Sequence, residues 1–354
     1  ALWWQLAGHS FAKFGGTQKS SSPTGYLCYV SIAETISSLG ENESLKRTIA
    51  RLNISEHALV GPGDDSAVIS APDGRFVVTT DTLVEDHDFK LDWSSGYDLG
   101  WKAVASNIAD VAAMGAVPTS LVVAVTAPGH TQVSWLEAFA DGLRDACTQL
   151  APGCGVVGGD LAASNQVMIS VAAHGSLEGR EPVLRSGAQV GNVVAVAGTL
   201  GRAAAGLALL QSANTDAIAA YDDWVNVQRR PQPPIKAGVE AAVAGATSML
   251  DLSDGLAKDA ARIAKASSVT IQIDPLMLQG FEAVIEEAAR AINANAADWV
   301  IGGGEDHSLL ATFPSDATLP RAFKAIGVVL PQGAAPVMLG ASALPEKGWD
   351  SVTG

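Results

Sequence analysis

Cysteine is scarce in this chain: Cys28, Cys147 and Cys154 are all that 354 residues contain, with no CxxC pair and no cysteine–histidine zinc spacing. So sparse and odd a count excludes a disulfide scaffold and fits a reducing, cytoplasmic compartment. Basic residues are also few, 22 against 37 acidic ones, for a formal net charge of −15. A nucleic-acid surface would need Lys and Arg clustered to face phosphates, so that class of partner is excluded. No apolar run approaches the roughly 20 residues of a membrane span. Even the alanine-rich stretch 110–127 is broken by Gly115 and Pro118. A GxxxxGK[ST] loop is missing too, which removes a P-loop kinase. The letters GxGxxG do occur at Gly153–Gly158, but after a helical stretch and leading into a strand, the reverse of what a dinucleotide fold requires. His130 and His174 stand alone and read as satisfied or solvent-facing rather than as ligands.

What remains is a chain 48% apolar and 17% charged, long enough for two α/β domains. Residues 1–30 show neither helical nor strand periodicity, nor the basic start and apolar core of a secretory leader. They are expected to be an added or over-extended start. The first domain, 31–175, begins with a helix over 43–52 capped by Asn42. A strand over 75–80 follows the Asp73-Gly74 turn, and a helix over 97–114 stops at Gly115. Strand 121–128, helix 132–150 and strands 155–158 and 166–175 complete it. The second domain, 176–354, opens with strand 193–197 and helix 201–211, then a polar loop through the prolines at 231, 233 and 234. Helix 235–244, strand 248–252, helix 255–267, strand 269–274, helix 281–292 and strand 309–313 come next. A glycine-rich tail ends near Trp349.

Six short segments carry the chemistry: Gly61–Asp65, Thr79–Thr82, Asn107–Asp110, Gly158–Asp160, Asp251–Gly255 and Gly303–Asp306. Each sits where a strand or helix meets a turn. Glycine lets a bulky anion approach the backbone closely, and aspartate supplies hard oxygens of the kind Mg²⁺ prefers. Taken singly, any of them reads as an ordinary turn, because aspartate side chains bond their own backbone. Together they are harder to set aside. Two carboxylates ~4 Å apart repel by roughly 4 kcal/mol at an effective dielectric of 20, so gathering several without basic neighbours requires bound cations.

In order and spacing, GPGDDSAVI, TTDTLVED, DLGWKAVASNIADVAAMGA, VVGGDL, LRSGA, MLDLSDGLAKD and GGGEDHSLL resemble the thiamine-monophosphate kinases. That family lies in the superfamily of aminoimidazole ribonucleotide synthetase, and the likeness runs from Ser55 to Trp349. It implies an α/β (α+β) two-domain fold of the aminoimidazole ribonucleotide synthetase type. The N-terminal sheet would form a barrel across a homodimer, and a C-terminal α/β domain would complete the site. It also implies ATP-dependent phosphorylation of thiamine monophosphate to thiamine diphosphate, with several Mg²⁺ ions. By motif position, Asp64, Asp65, Asp81, Asp110, Asp160, Asp251 and Asp254 would be metal ligands, with Thr79 and Thr80 adding oxygens. Gly159, Asp160, Arg185 and Ser253 resemble ATP contacts. Glu305 and Trp349 resemble contacts to the thiamine moiety, and Asp88 falls at the position of a substrate-binding residue. No general base is evident, and none is needed, because the attacking phosphate oxygen is already ionised.

Two positions depart from the family pattern. Where V-E-G-V-H-F is usual, the chain reads Val84-Glu85-Asp86-His87-Asp88-Phe89, so Asp88 replaces the substrate histidine and His87 arrives one residue early. After Glu305-Asp306 comes His307-Ser308, in place of an aromatic residue and glutamate. These changes keep two alternatives open: a sister enzyme of the superfamily acting on another substrate, and a nucleotide-binding protein without turnover. The superfamily's hydrogenase-maturation branch would be expected to end in a reactive cysteine; this chain ends Ser351–Gly354.

Overall fold

A computed structural model of the chain describes residues 34–62 and 67–349. The expectations for residues 1–30, for Asp64 and Asp65, and for the last five residues therefore lie outside the described residues.

The first part of the chain runs α1 (Ile36–Leu39), α2 (Glu41–Ile49), β1 (Ala58–Val60), β2 (Val68–Ile69), β3 (Val77–Val84), α3 (Gly96–Ala113), β4 (Val117–Ala127), α4 (Val133–Leu150), β5 (Gly155–Ala163) and β6 (Met168–Ser176). Strands β3, β6, β4 and β5 lie side by side in that order, antiparallel except for the parallel β4–β5 pair. One face of this sheet is covered by α3 and α4, and the sheet does not close on itself within the chain. Helix α3 is the centre of the molecule. Its N-terminus is fixed by a capping box in which Ser95 and Asp98 each bond the other's backbone N–H. Because it is apolar nearly all round, it is buried on nearly every side. It presses so closely on α4 that a Cβ at Gly100 would meet the Phe139 carbonyl at 2.1 Å, and one at Gly142 the Tyr97 carbonyl at 2.1 Å.

The second part runs β7 (Val193–Ala197), α5 (Arg202–Ser212), α6 (Thr215–Ala220), α7 (Asp222–Arg229), α8 (Ile235–Val243), β8 (Ser248–Leu252), α9 (Leu256–Ser267), β9 (Val269–Ile273), α10 (Pro275–Ala291), α11 (Ala296–Gly302), β10 (Ser308–Phe313), β11 (Phe323–Pro331), β12 (Val337–Leu339) and β13 (Ser342–Ala343). Its seven strands lie in the order β13-β12-β9-β11-β7-β10-β8. Strands β7, β10 and β8 are buried along almost their whole length, as expected of a sheet covered on both faces. On one side α9, α10 and α11 enclose an aliphatic core; on the other, α8 and the end of α3 pack against Phe313 and Met249.

Most expected elements stand within a few residues of their places. Three expectations need correction. The first long helix begins at Glu41 behind Gly40, so Asn42 is inside it rather than capping it. The polar stretch before the prolines is not loop throughout: Asn214 accepts from the Ala217 N–H and starts α6. In α7, Asp222 and Asp223 in the first turn and Arg229 in the last both suit the helix dipole. Finally, the tail after Phe313 contributes β11 to the middle of the sheet, where it pairs with both β7 and β9. Among the described residues no helix is long and apolar enough to cross a membrane.

Candidate active site at the seam between the two sheets

The middle of β3, the C-terminal part of α3 and the end of β8 meet at one seam, so Thr79–Thr82 and Asn107–Asp110, like Gly158–Asp160 in β5, lie inside their elements rather than at the turns expected of them. Along β3 the residues alternate, so Thr79 and Asp81 turn toward α3 while Val78, Thr80 and Thr82 face outward. Thr79 Oγ1 donates to Asp110 Oδ2 at 2.8 Å, and the Asp81 N–H donates to Asn107 Oδ1 at 3.1 Å. The three-residue spacing of Asn107 and Asp110 puts both on the helix face that meets β3. Asp251, almost fully buried at the end of β8, approaches from the second sheet. Its Oδ2 lies 3.3 Å from His307 Nδ1 and accepts a hydrogen bond when that nitrogen carries the proton.

The electrostatics confirm that these acids share one neighbourhood. Burial raises the Asp110 carboxyl to about 7, with the charges of Asp251 and Asp81 adding to the rise and the Thr79 bond opposing it. Burial also raises Asp81; His307 works against that rise, while Asp251, Asp254 and Asp88 reinforce it. Burial alone would lower His307, but its bond to Asp251 and the charges of Asp251, Glu305 and Asp81 outweigh it and raise it. Asp254 stands nearby, already paired with Arg262 and Lys258. Behind it Asp259, wholly buried, accepts from the N–H groups of Asp254 and Gly255 at 3.0 and 3.1 Å and pairs with Arg262. That carboxylate locks the Asp251–Gly255 turn at the start of α9.

Beside the acids lies the loop 303–307. Its Glu305 and His307 N–H groups donate to the carbonyls of Ser253 and Leu252, at 2.9 and 3.2 Å. Both residues take positive φ, 66° and 48°, a conformation that costs a non-glycine residue energy and is held here by these bonds. Glu305 Oε1 pairs with Lys102 Nζ at 2.8 Å. On the far wall Asp88 accepts from the Val84 N–H at 2.8 Å and faces His87 Nδ1 at 3.1 Å. Trp349 sets its ring edge-on to His87, 5.4 Å between centroids, and its backbone N–H donates to the Asp254 carbonyl.

Other expected residues stand elsewhere. Register runs Asp81–Val171–Val123–Gly159 across the sheet, so Gly159 is three strands from Asp81, about 14 Å at 4.7–4.9 Å per strand. Asp160, the next residue, points to the outer face, as does Thr80. Neither joins the acids at the seam within one chain. Arg185 is exposed in a short 3₁₀ turn, with its carbonyl accepting from Ser267. Among the described residues no three or more His, Cys, Asp or Glu side chains are gathered closely enough to hold a metal ion by themselves. The donors at the seam are nevertheless carboxylate and hydroxyl oxygens, the type a hard divalent cation takes. The crowding that raises Asp110 is what such a charge would relieve.

The N-terminal half, residues 63–177, matches the family model described as AIR synthase related protein, N-terminal domain. A thiamine-monophosphate kinase of Mycobacterium tuberculosis is 42% identical over 320 residues, covering 90% of this chain and 93% of that protein. The chain belongs to the thiamine-monophosphate kinase family. A relative of the same name from Corynebacterium glutamicum is 37% identical, covering 83% of this chain and 87% of that protein. Among solved structures, AaThiL complexed with AMPPCP and TMP has TM-score 0.70 and 29% identity, covering 90% of this chain and 99% of that one. The thiamine monophosphate kinase of Aquifex aeolicus has TM-score 0.69 and 30% identity, covering 78% and 90%. Three residues of this family member's site escaped the sequence reading: Lys102, Gln228 and Asp259. The signal for Lys102 was there, a lone charge inside the apolar run of α3. Asp259 had one too, in its place one turn after Gly255.

Proposed function

We propose that the chain transfers the γ-phosphoryl group of ATP to thiamine monophosphate, giving thiamine diphosphate and ADP. The observation that carries this reading is the convergence of Asp81, Asp110 and Asp251, from three distant stretches, beside Glu305 and Trp349 on a family-typical frame. An oxygen of the acceptor phosphate attacks the γ-phosphorus and the bond to the ADP oxygen breaks. No residue has to take a proton, because that oxygen is already ionised.

Two anionic substrates meeting there need their repulsion screened. Mg²⁺ held by Asp81, Asp110, Asp251 and Asp254, with Thr79, would supply that screening and stabilise the spread charge of the transition state. Asp64 and Asp65, Thr80, and Asp160 are assigned to the same metal set by motif position. Ser253, Arg185 and Gly159 are assigned to ATP in the same way, and Glu305, Trp349 and Asp88 to the thiamine moiety. Asp88 already caps the 84–88 turn, so His87, the residue against Trp349, is the better placed of the two to face a ring.

The outer face of the four-stranded sheet exposes Val78, Val122 and Met168. A second copy packed there, closing a shared barrel, is the assembly proposed; Gly159, Asp160 and Thr80 lie on or beside that face, so their assignments go with it. Light scattering of the wild type and of Val78→Asp tests it, with a dimer that dissociates in the variant as the expected result. For the reaction, ADP release is followed with Mg²⁺ and ATP, with and without thiamine monophosphate. Release only with the acceptor supports the kinase. ATP binding without turnover supports a nucleotide-binding protein instead, and turnover with a different acceptor supports a sister enzyme.

A further inference from the structure

Lys102 is the anomaly of α3. Its side chain is 2% exposed, and its neighbours Ala103, Val104 and Ala105 are fully buried. A methionine or leucine would fill the same volume without taking an ammonium out of water, and replacing a buried ion pair by apolar residues is commonly neutral or stabilising. A charge kept there is therefore kept for its partner. Among the described residues that partner is one carboxylate, Glu305, reached across the seam between the two sheets at 2.8 Å.

Glu305 stands with one side occupied and one side open. Oε1 belongs to Lys102, and Gln228 Nε2 approaches Oε2 only at 3.4 Å. The side chain remains 31% exposed toward the cleft. Its backbone is held at φ 66°, so the carboxylate is aimed by the loop as well as by the lysine. Gln228, nearly buried, leaves its Oε1 without a hydrogen-bond partner. An ionised carboxylate can only accept hydrogen bonds, and so can an amide oxygen. This corner of the cleft is short of donors.

We propose that Lys102 is the positioning residue that fixes Glu305 as an acceptor-only contact, and that this pair restricts the phosphate acceptor to molecules whose ring carries an N–H donor at that edge. The inference rests on the reading above that Glu305 meets the thiamine ring system, whose aminopyrimidine carries such a donor. An analogue with a carbonyl oxygen in place of the amino group would set acceptor against acceptor. A site built to bond an N–H leaves its own buried groups unpaired when that group is missing, which is a strong basis for rejection.

The experiment uses the full chain, ATP with Mg²⁺, and two acceptors: thiamine monophosphate and its 4-oxo counterpart. The wild type is expected to favour the amino form in kcat/KM by about 100-fold or more. Lys102→Met should raise KM for thiamine monophosphate about ten-fold, leave KM for ATP unchanged and shrink the discrimination. Glu305→Gln, whose amide can donate, should turn over the 4-oxo acceptor better than the wild type does. In the Glu305→Gln background, Lys102→Met should add little, because the two act as one unit. If Lys102→Met does not fold, the double variant strands no charge and carries the same discrimination readout. Undiminished discrimination in the variants, equal losses for ATP and acceptor, or additive costs would overturn the proposal. A wild type inactive on thiamine monophosphate would instead overturn the parent reading.

Discussion

Asp110→Asn should make the metal-free protein more stable while abolishing turnover. The carboxyl of Asp110 is raised from 3.8 to about 7, chiefly by burial and then by Asp251 and Asp81. Three units at 1.36 kcal/mol each mean that ionising this group costs the folded chain about 4 kcal/mol at pH 8. An asparagine amide in the same place is neutral but still loses water, so about 2 kcal/mol should be recovered, or about 3 °C in Tm at roughly 2.1 cal/mol/K of unfolding entropy per residue. The sign of the pH dependence is fixed by the same numbers. A carboxyl raised in the folded state binds its proton more tightly there than in the unfolded chain. Its contribution favours folding below about pH 4 and is lost as the pH rises to 7. In chelator, thermal melts at pH 5 and pH 8 should therefore show the wild type falling more steeply than the variant. Adding Mg²⁺ with an ATP analogue should reverse the order, raising the wild type and leaving the variant where it was. A variant that melts at or below the wild type in chelator at pH 8 would show that burial and the charges of Asp251 and Asp81 do not together penalise the Asp110 carboxylate, and the reasoning from its raised carboxyl would fail.

Trp349→Ala removes the ring that lies edge-on to His87; it should raise KM for thiamine monophosphate several-fold and spare ATP, and the opposite split would reject its assignment to the acceptor. Asp259→Ala strands the N–H groups of Asp254 and Gly255 and the guanidinium of Arg262. A loss of about 2–3 kcal/mol in urea titration is expected, with a higher Mg²⁺ requirement; unchanged stability would show that the turn holds without it. Gly100→Val forces a side chain into the Phe139 carbonyl and should cost about 3 kcal/mol by splitting α3 from α4, as a chemical denaturation midpoint would report.

Local chemistry made some of this legible in the sequence, and distance hid the rest. Strand 193–197 and helix 235–243 stand almost where apolar periodicity and proline put them, because both are buried elements whose pattern has little competition. Helices α6 and α7 were hidden by composition. Asp216, Asp222 and Asp223 look like loop residues until Asn214 is seen to cap one helix and the aspartates to sit at first turns. Strand β11 was hidden by its position: it reads as a tail in the sequence and lies in the middle of the sheet only because β7 and β9 are waiting on either side. At the site, the acidic motifs announced the residue types, but which faces they took was decided by sheet register. Asp81 and Asp160 look equivalent as letters, and three strands and one change of face separate them.

The same helix supplies both ends of the proposed acceptor site, and that is where fold and function join. Asp110 and Lys102 are eight residues apart on α3, about 12 Å along its axis at 1.5 Å per residue. One end meets the acids that would receive phosphate groups; the other holds the carboxylate assigned to the ring. An acceptor with a phosphate at one end and a donor-bearing ring at the other is matched to a rigid helix used as a spacer, since the distance cannot drift with loop motion. The spacer is rigid because it is buried on nearly every side and clamped by Gly100 and Gly142 against α4. Shortening it by one residue between Lys102 and Asp110 would rotate one end by about 100° relative to the other. Lys102 could then face Glu305, or Asp110 could face Thr79, but not both.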